Sequence, residues 1–513
     1  MSDFYLYTLG GCTLLVALYS YFSQDARSKL PLPPGPTKWP VVGNLFDMPS
    51  TFEWITFMEW SRKYNSDILH LNVAGQSIIV LSSAKAANDL LEKKASIYSD
   101  RARLPMVNEL MGWDFALAFM KHGDHWRAHR KLFHEVFNQV AAQTFRPKEK
   151  EVANELLNDF LERPDHDPLD HLRHMAAKIV ISIAYGIDVL PENDPYVDWA
   201  DKAVEGLVTA IVPGRFLVDS FPFLKYVPEW VPGAGFQRRA REWRRLARGM
   251  LEKPFAAARQ RIASGTAPRS FTMDGLKMVE GADNKVYMEQ VVQATAGTMY
   301  TAGTGTTVSA IGTFILSMLA NPEAQKKAQA EIDAVVGTDR LPDWEDEAKM
   351  PYLTAVIKES LRWRNVTPIA IPHFLPVEDE YKGYRLPAGS IVMPNTWAIL
   401  HDEEMYPDPY SFKPERYLLD GKPNPAVMDP DMVFGFGRRI CPGRHMAMSS
   451  VWITIARILA AFDITKAVDE KGQVIEPTYE YFAGLVVQPL PFKCSIKPRS
   501  EKAAALIKAS LEK

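Results

Sequence analysis

The sequence predicts a mainly α protein: a large helix-rich domain with small β-sheets, preceded by one N-terminal transmembrane helix. Three observations carry this. Phe4 to Gln24 is an uncharged run rich in Leu, Tyr, Phe and Val. The body that follows holds long apolar helical patterns, such as His445 to Phe462. Its strand-type segments are few and short, such as Ile68 to Ser82.

As a helix, the N-terminal run spans about 30 Å, the thickness of a bilayer core. No Lys or Arg precedes it, whereas Arg27, Lys29 and Lys38 follow, so it reads as an anchor rather than a cleaved signal. The same asymmetry leaves the rest of the chain on the cytosolic side. The expected organisation is an anchor at 1–24, a linker at 25–40 stiffened by Pro31, Pro33, Pro34 and Pro36, and one catalytic domain at 41–513.

Within the body, Ile68–Ser82 alternates and turns at Ala74-Gly75, which predicts a hairpin. Asn321-Pro322-Glu323 predicts a capped helix start, and Gly337 its end. Tyr384–Met393, interrupted by Pro387 and Gly389, predicts short strands, and Leu485–Lys493 another. Phe221–Phe236 is aromatic and proline-broken, and six arginines follow between Arg238 and Arg248. This reads either as a solvated basic helix face or as a second membrane contact. The tail after Arg499 is open between a short helix and disorder.

The composition of the 513 residues, 47% apolar and 24% charged with net charge −3, is that of a globular protein and excludes nucleic-acid binding as the main function. Cys12, Cys441 and Cys494 make neither a disulfide framework nor a zinc site.

Cys441 is the exception among them. It lies in Phe434–Gly443 (FGFGRRICPG), just ahead of an apolar helix. A helix N-terminus favours a thiolate, and a thiolate is a strong, soft metal ligand. Gly435, Gly437 and Gly443 leave room for a flat partner, and Arg439 suits a carboxylate. Together they suit a haem, with the iron on sulfur and a propionate on the arginine. The other reading is a small buried cysteine in a turn.

This stretch resembles the Phe-x-x-Gly-x-Arg-x-Cys-x-Gly signature of the haem-thiolate cytochromes P450. Further segments resemble the family in chain order, from the proline strut to about residue 498. The resemblance implies the cytochrome P450 fold and haem b with Cys441 as axial thiolate. Trp126 and Arg130, four apart in HWRAHRK, match the family's Trp-x-x-x-Arg pair and imply propionate contacts rather than an exposed basic helix. His373 is implied at the other propionate. Glu359 and Arg362 match Glu-x-x-Arg; with Arg416 in PERY they imply a structural network that pins the cysteine loop. Thr306 matches the threonine on the oxygen side, in a Gly-rich helix that could equally be helix packing. There Gly305 replaces the acid that the family uses to feed protons.

The implied activity is hydroxylation of a hydrophobic small molecule with O2. No dinucleotide fingerprint is present, so electrons would come from NADPH through an NADPH-cytochrome reductase, an acidic donor docking on Arg127, Lys131, Arg438 and Arg444. The anchor implies the endoplasmic reticulum membrane, facing the cytosol. Mainly apolar pocket segments are Met106–Phe119, Met299–Ala302, Val366–Ile371 and Ala483–Val487. Phrases such as VNELMGWDF are similar to fungal natural-product oxidases of the O-methylsterigmatocystin oxidoreductase group, which implies a terpenoid, polyketide or indole substrate. Two alternatives stay open: a reductase-independent peroxygenase or isomerase, encouraged by Gly305, and a non-enzymatic haem sensor.

Overall fold

A computed structural model describes residues 30–211 and 215–512. The predicted transmembrane helix and Cys12 lie outside the described residues. The body is helix-rich with small sheets, as predicted, and forms two compact units.

The first unit comprises the described residues up to Ala102, with Ile371–Ile399 and Phe436–Arg438. Strands β1 (Ile68–Val73) and β2 (Gln76–Leu81) make the predicted hairpin, and both turn residues, Ala74 and Gly75, take positive φ. The later strands are β3 (His373–Leu375), β4 (Asp379–Tyr381), β5 (Tyr384–Leu386) and β6 (Ser390–Pro394). The main sheet has the order β1-β2-β6-β3, with β2 and β6 parallel. β4 and β5 pair separately, so the segment predicted at Tyr384–Met393 serves two sheets. Alternation along β1 and β2 puts Leu69, Leu71, Ile78 and Val80 on one face, where Phe57 of helix α1 (Glu53–Lys63) buries them. The proline linker is extended where described. Its Pro31 and Pro34 carbonyls accept the N–H groups of Arg385 and His70. Proline has no N–H, so such a segment joins a sheet edge through its carbonyls.

The second unit comprises Arg103–Ala370, Leu400–Gly435 and the chain from Arg439 onward. Its main helices are α2 (Asp124–Phe137), α3 (Arg146–Glu162), α4 (Pro168–Tyr185), α5 (Pro195–Ala210), α6 (Gly235–Ala263), α7 (Lys285–Ala320), α8 (Pro322–Val336), α9 (Pro351–Trp363) and α10 (Arg444–Ala461). Strand β7 (Phe462–Lys466) pairs with β10 (Cys494–Pro498), and β8 (Tyr481–Phe482) with β9 (Gln488–Pro489).

α7 is long and apolar enough to cross a membrane, yet most of it is buried in this unit and packs on α4. Its many threonines return their hydroxyls to the helix: Thr295, Thr298, Thr301, Thr306 and Thr307 each donate to the carbonyl four residues back. α8 runs from Pro322 to Val336 and stops at Gly337, as predicted. The Asn321 side chain does not cap it; its amide donates instead to the Ser317 carbonyl and closes α7. The strand expected at Leu485–Lys493 shrinks to Gln488–Pro489, because Pro489 and Pro491 cannot donate to a ladder. The tail is helical: α11 (Glu501–Leu511) starts at a Ser500 cap and buries Ile507.

Candidate active site

Cys441 sits two residues ahead of the Gly443 cap of α10. Its N–H donates to the Phe434 carbonyl at 2.7 Å, which closes the loop. Arg444 reaches the Cys441 carbonyl at 3.4 Å, and Arg130 of α2 donates to the Ile440 carbonyl at 2.5 Å. Burial pushes the thiol pKa up; the Gly443 N–H and the Arg130 and Arg444 charges pull it down, and burial prevails. The helix terminus thus pulls towards the thiolate as expected, but the loop as a whole does not favour it. The protein alone favours S–H, and a coordinated metal is what would hold the sulfur ionised.

Three donors gather beside this loop. Trp126 is buried on α2, with the Arg439 guanidinium 4.7 Å from its ring centroid. Arg439 donates to the carbonyls of Leu117 and Met120. Arg130 makes no ion pair with any described carboxylate, and its one hydrogen bond leaves most of its N–H groups for an acidic ligand. Burial lowers its pKa, offset in part by Cys441. A thiol, an indole N–H and two guanidinium groups of which one lacks a counter-charge fit a haem.

His373 belongs to the first unit, where it is buried on β3 with Nδ1 against the Tyr98 carbonyl at 2.7 Å. Gly437 is in that unit too. A Cβ there would stand 2.2 Å from the Leu91 carbonyl, and φ is +53°. The chain's own backbone is by itself enough to require glycine there.

Thr306 lies in the one stretch of the inner part of α7 that is not buried: Val291–Tyr300 is mostly buried and Val308–Leu319 fully so, whereas residues 301–307 are open to varying degrees. Its hydroxyl donates to the Ala302 carbonyl at 2.7 Å, leaving its lone pairs to accept from water. Gly303 does not make this opening, since a Cβ there would meet Val180 of α4 at 2.8 Å. At that position helix packing is the reason for the glycine. Gln488, which the sequence did not single out, donates to the Gly305 carbonyl at 3.0 Å. Nearby, Ser309 donates to the Val487 carbonyl, and Val487 N–H donates to the Val366 carbonyl. Leu117 N–H donates to Thr298 Oγ1. Parts of three of the expected pocket segments are thus tied to one another or to α7 within this unit, through Leu117, Val366 and Val487, and the α7 contacts fall at Thr298 and Ser309, on either side of Met299–Ala302.

Glu359, Arg362 and Arg416 form the expected network. Arg362 and Glu359 pair in two hydrogen bonds of 2.7 and 2.8 Å, both fully buried, and Arg416 joins at 3.2 Å. Arg362 also holds the Leu400 carbonyl, and Arg416 those of Pro407 and Asp408. What the network grips directly is the 400–416 segment. α9 reaches the run into the cysteine loop through Lys358 and Asp429, 2.6 Å apart.

The sequence from residue 33 to residue 496 matches the family described as Cytochrome P450. The chain belongs to the cytochrome P450 family. It is 47% identical over 505 residues to Cytochrome P450 monooxygenase 98 of Postia placenta, covering 98% of this chain and 96% of that one. It is 44% identical to Cytochrome P450 monooxygenase ple1 of Rhodocybe pseudopiperita, covering 96% and 94%. It is 42% identical to Tryptamine 4-monooxygenase of Psilocybe cyanescens, covering 96% and 97%. This P450 is an oxidoreductase of the monooxygenase type, and its family carries haem on a cysteine thiolate. P450 monooxygenases take electrons from reductase partners and act on hydrophobic substrates.

Two surfaces bear on partners. A cleft of about 270 Å³ beside the cysteine loop is lined by Arg130, His134, Val140, Pro442, Arg444 and His445. Of the four basic residues expected at a docking face, Arg127 pairs with Asp124, Lys131 lies 3.9 Å from Glu135, and Arg438 is in the first unit. The other surface is aromatic. Leu217, Phe221, Phe223, Tyr226 and Trp230 are all exposed. Four of the following arginines are committed to protein: Arg241 to Glu229, Arg244 to the Glu109 carbonyl, Arg245 over the Trp199 ring and Arg248 to Asp114.

Proposed function

We propose that this P450 hydroxylates a hydrophobic fungal secondary metabolite of the terpenoid, polyketide or indole class, using O2 and electrons from NADPH through a reductase, with Cys441 as the axial ligand of haem b. The observation that carries the reading is the set of donors around the cysteine loop, above all an Arg130 without a carboxylate partner among the described residues. When bound, the haem activates dioxygen for insertion into an unreactive C–H bond.

The chain's own residues position and enclose. Arg130, Trp126 and Arg439 hold propionate. Thr306 holds water on the oxygen side through its free lone pairs. Phe115, Met299, Val366 and Val487 supply apolar walls that exclude bulk water. Glu359, Arg362 and Arg416 support the fold and touch no substrate. The cleft at Arg130, Arg444 and the two histidines receives the acidic reductase. Residues 1–24 anchor the enzyme in the endoplasmic reticulum membrane with its body in the cytosol, and the aromatic patch at 217–230 touches the same surface. The name of the Psilocybe relative supports the indole class.

The test is turnover of a mixed terpenoid, polyketide and indole panel, with NADPH and reductase in one arm and peroxide alone in the other. Oxygenated product confined to the reductase arm supports the reading. Product confined to the peroxide arm supports the peroxygenase alternative, which Gly305 favours.

A further inference from the structure

We propose that Gln488 is a positioning residue for the oxygen side of the site, matched to the glycine at 305. The proposal rests on the monooxygenase reading above. Gly305 stands where the family pattern has an acid, and its Cβ direction is not empty space: a Cβ built there lies 3.1 Å from Gln488 Nε2. The same Nε2 donates to the Gly305 carbonyl at 3.0 Å. A side chain at 305 would therefore require the Gln488 amide to give way by a few tenths of an ångström.

Gln488 is held there from both sides. It follows Val487, whose carbonyl takes the Ser309 hydroxyl one turn further along α7, and it pairs through β9 with Phe482 of β8. The amide is thus delivered to the turn of α7 that carries Thr306, in the stretch where the helix is open. An amide does not ionise at working pH, so it relays no charge of its own. Its Oε1 makes no hydrogen bond to a described protein group and can accept from water, while Nε2 fixes the helix carbonyl. Gln488 acts through α7 and ordered water, in the role that a carboxylate at 305 would otherwise fill.

Oxygenation takes up O2, two electrons and two protons, puts one oxygen into the substrate and releases the other as water. When protons arrive out of order, the same O2, electrons and protons leave as hydrogen peroxide. Loss of the Gln488 amide therefore diverts reducing equivalents to peroxide.

The experiment uses the haem-loaded enzyme in membranes with a substrate found in the panel, and the variants Gln488→Ala, Gly305→Ala, their combination, and Gly305→Asp with Gln488→Ala. Melting is followed by loss of the haem spectrum, and substrate binding by its spectral shift. Gly305→Ala should raise Tm more in the Gln488→Ala background than in the native one, because the amide that must give way is gone and alanine is the better helix former. Gln488→Ala should lower product per NADPH several-fold, with peroxide making up the difference and the substrate spectral shift retained. Gly305→Asp with Gln488→Ala should recover part of the product yield. Equal Tm shifts in both backgrounds would overturn the pairing. Unchanged product per NADPH in Gln488→Ala would overturn the positioning role. If the native enzyme makes no product with reductase, the monooxygenase reading fails and this role with it, whereas the melting comparison still decides whether the two residues are matched.

Discussion

The guanidinium of Arg439 lies over the indole of Trp126, 4.7 Å from the ring centroid. The contact joins the cysteine loop to α2, and Arg439 carries it on to the carbonyls of Leu117 and Met120. A partly buried cation–π contact is worth about 1–2 kcal/mol. Trp126→Phe keeps the stacking and removes the N–H. We expect it to leave Tm nearly unchanged while the haem is lost faster to a competing apo-globin. Trp126→Ala should lower both Tm and haem retention. Equal haem-loss rates in Trp126→Phe and the native enzyme would remove the indole from the propionate site.

The Glu359–Arg362 pair is fully buried. Removing one partner leaves an uncompensated charge in the core, at a cost of about 3–5 kcal/mol. Arg362→Ala should therefore accumulate poorly and without haem. Arg416, at the edge of the network, should cost less. Comparing haem content per folded protein for Arg362→Ala and Arg416→Ala ranks the two, and a milder Arg362 variant would contradict the account.

Glu149 of α3 is buried against α10, where it accepts the hydroxyls of Ser449 and Ser450 at 2.6 and 2.9 Å. Burial raises its pKa from 4.5 to about 7, against the pull of the two serines and Arg146. The folded state thus holds a proton that the unfolded chain gives up at lower pH. Stability from this group is complete below the unfolded value and falls as pH rises through about 7. Glu149→Gln should melt like the native enzyme near pH 5 and above it near pH 8. Parallel Tm–pH curves for the two would contradict this assignment.

Leu217, Phe221, Phe223, Tyr226 and Trp230 are large apolar side chains that stay exposed among the described residues. A protein lacking residues 1–24 should still float with phosphatidylcholine vesicles. Phe223→Ser with Trp230→Ser should reduce the floating fraction at unchanged Tm. Equal flotation of the two proteins would take the patch out of the membrane contact.

Much of this was legible in the residues themselves. The hairpin at Ile68–Leu81 follows from two apolar runs around the Ala74-Gly75 turn, and α8 from Pro322 and Gly337, because both signals are local. The Glu359–Arg362–Arg416 network was readable only through the resemblance to the family's Glu-x-x-Arg and Pro-Glu-Arg motifs, since an acid and a base three apart on a helix are a weak signal alone. What the sequence misjudged were effects set by tertiary packing. The ionisation of Cys441 turns on burial, which no local pattern reports. The glycines at 303 and 437 answer to Val180 and to the Leu91 carbonyl, far away in sequence. Four arginines of the run after Arg238 have protein partners that no local pattern reports, although Arg241, Arg244 and Arg245 stay exposed, as the expected solvated basic face requires. Gln488 lies in a short strand without a motif, and nothing local in the sequence links it to position 305.

The central claim is that Cys441 carries the haem iron, and the carbon monoxide difference spectrum of the reduced protein tests it most directly. Native protein should give the red-shifted Soret band of thiolate ligation. Cys441→Ser should lose that band, either with haem still bound through a different ligand or without haem. A Cys441→Ser protein that keeps the native band would contradict the account.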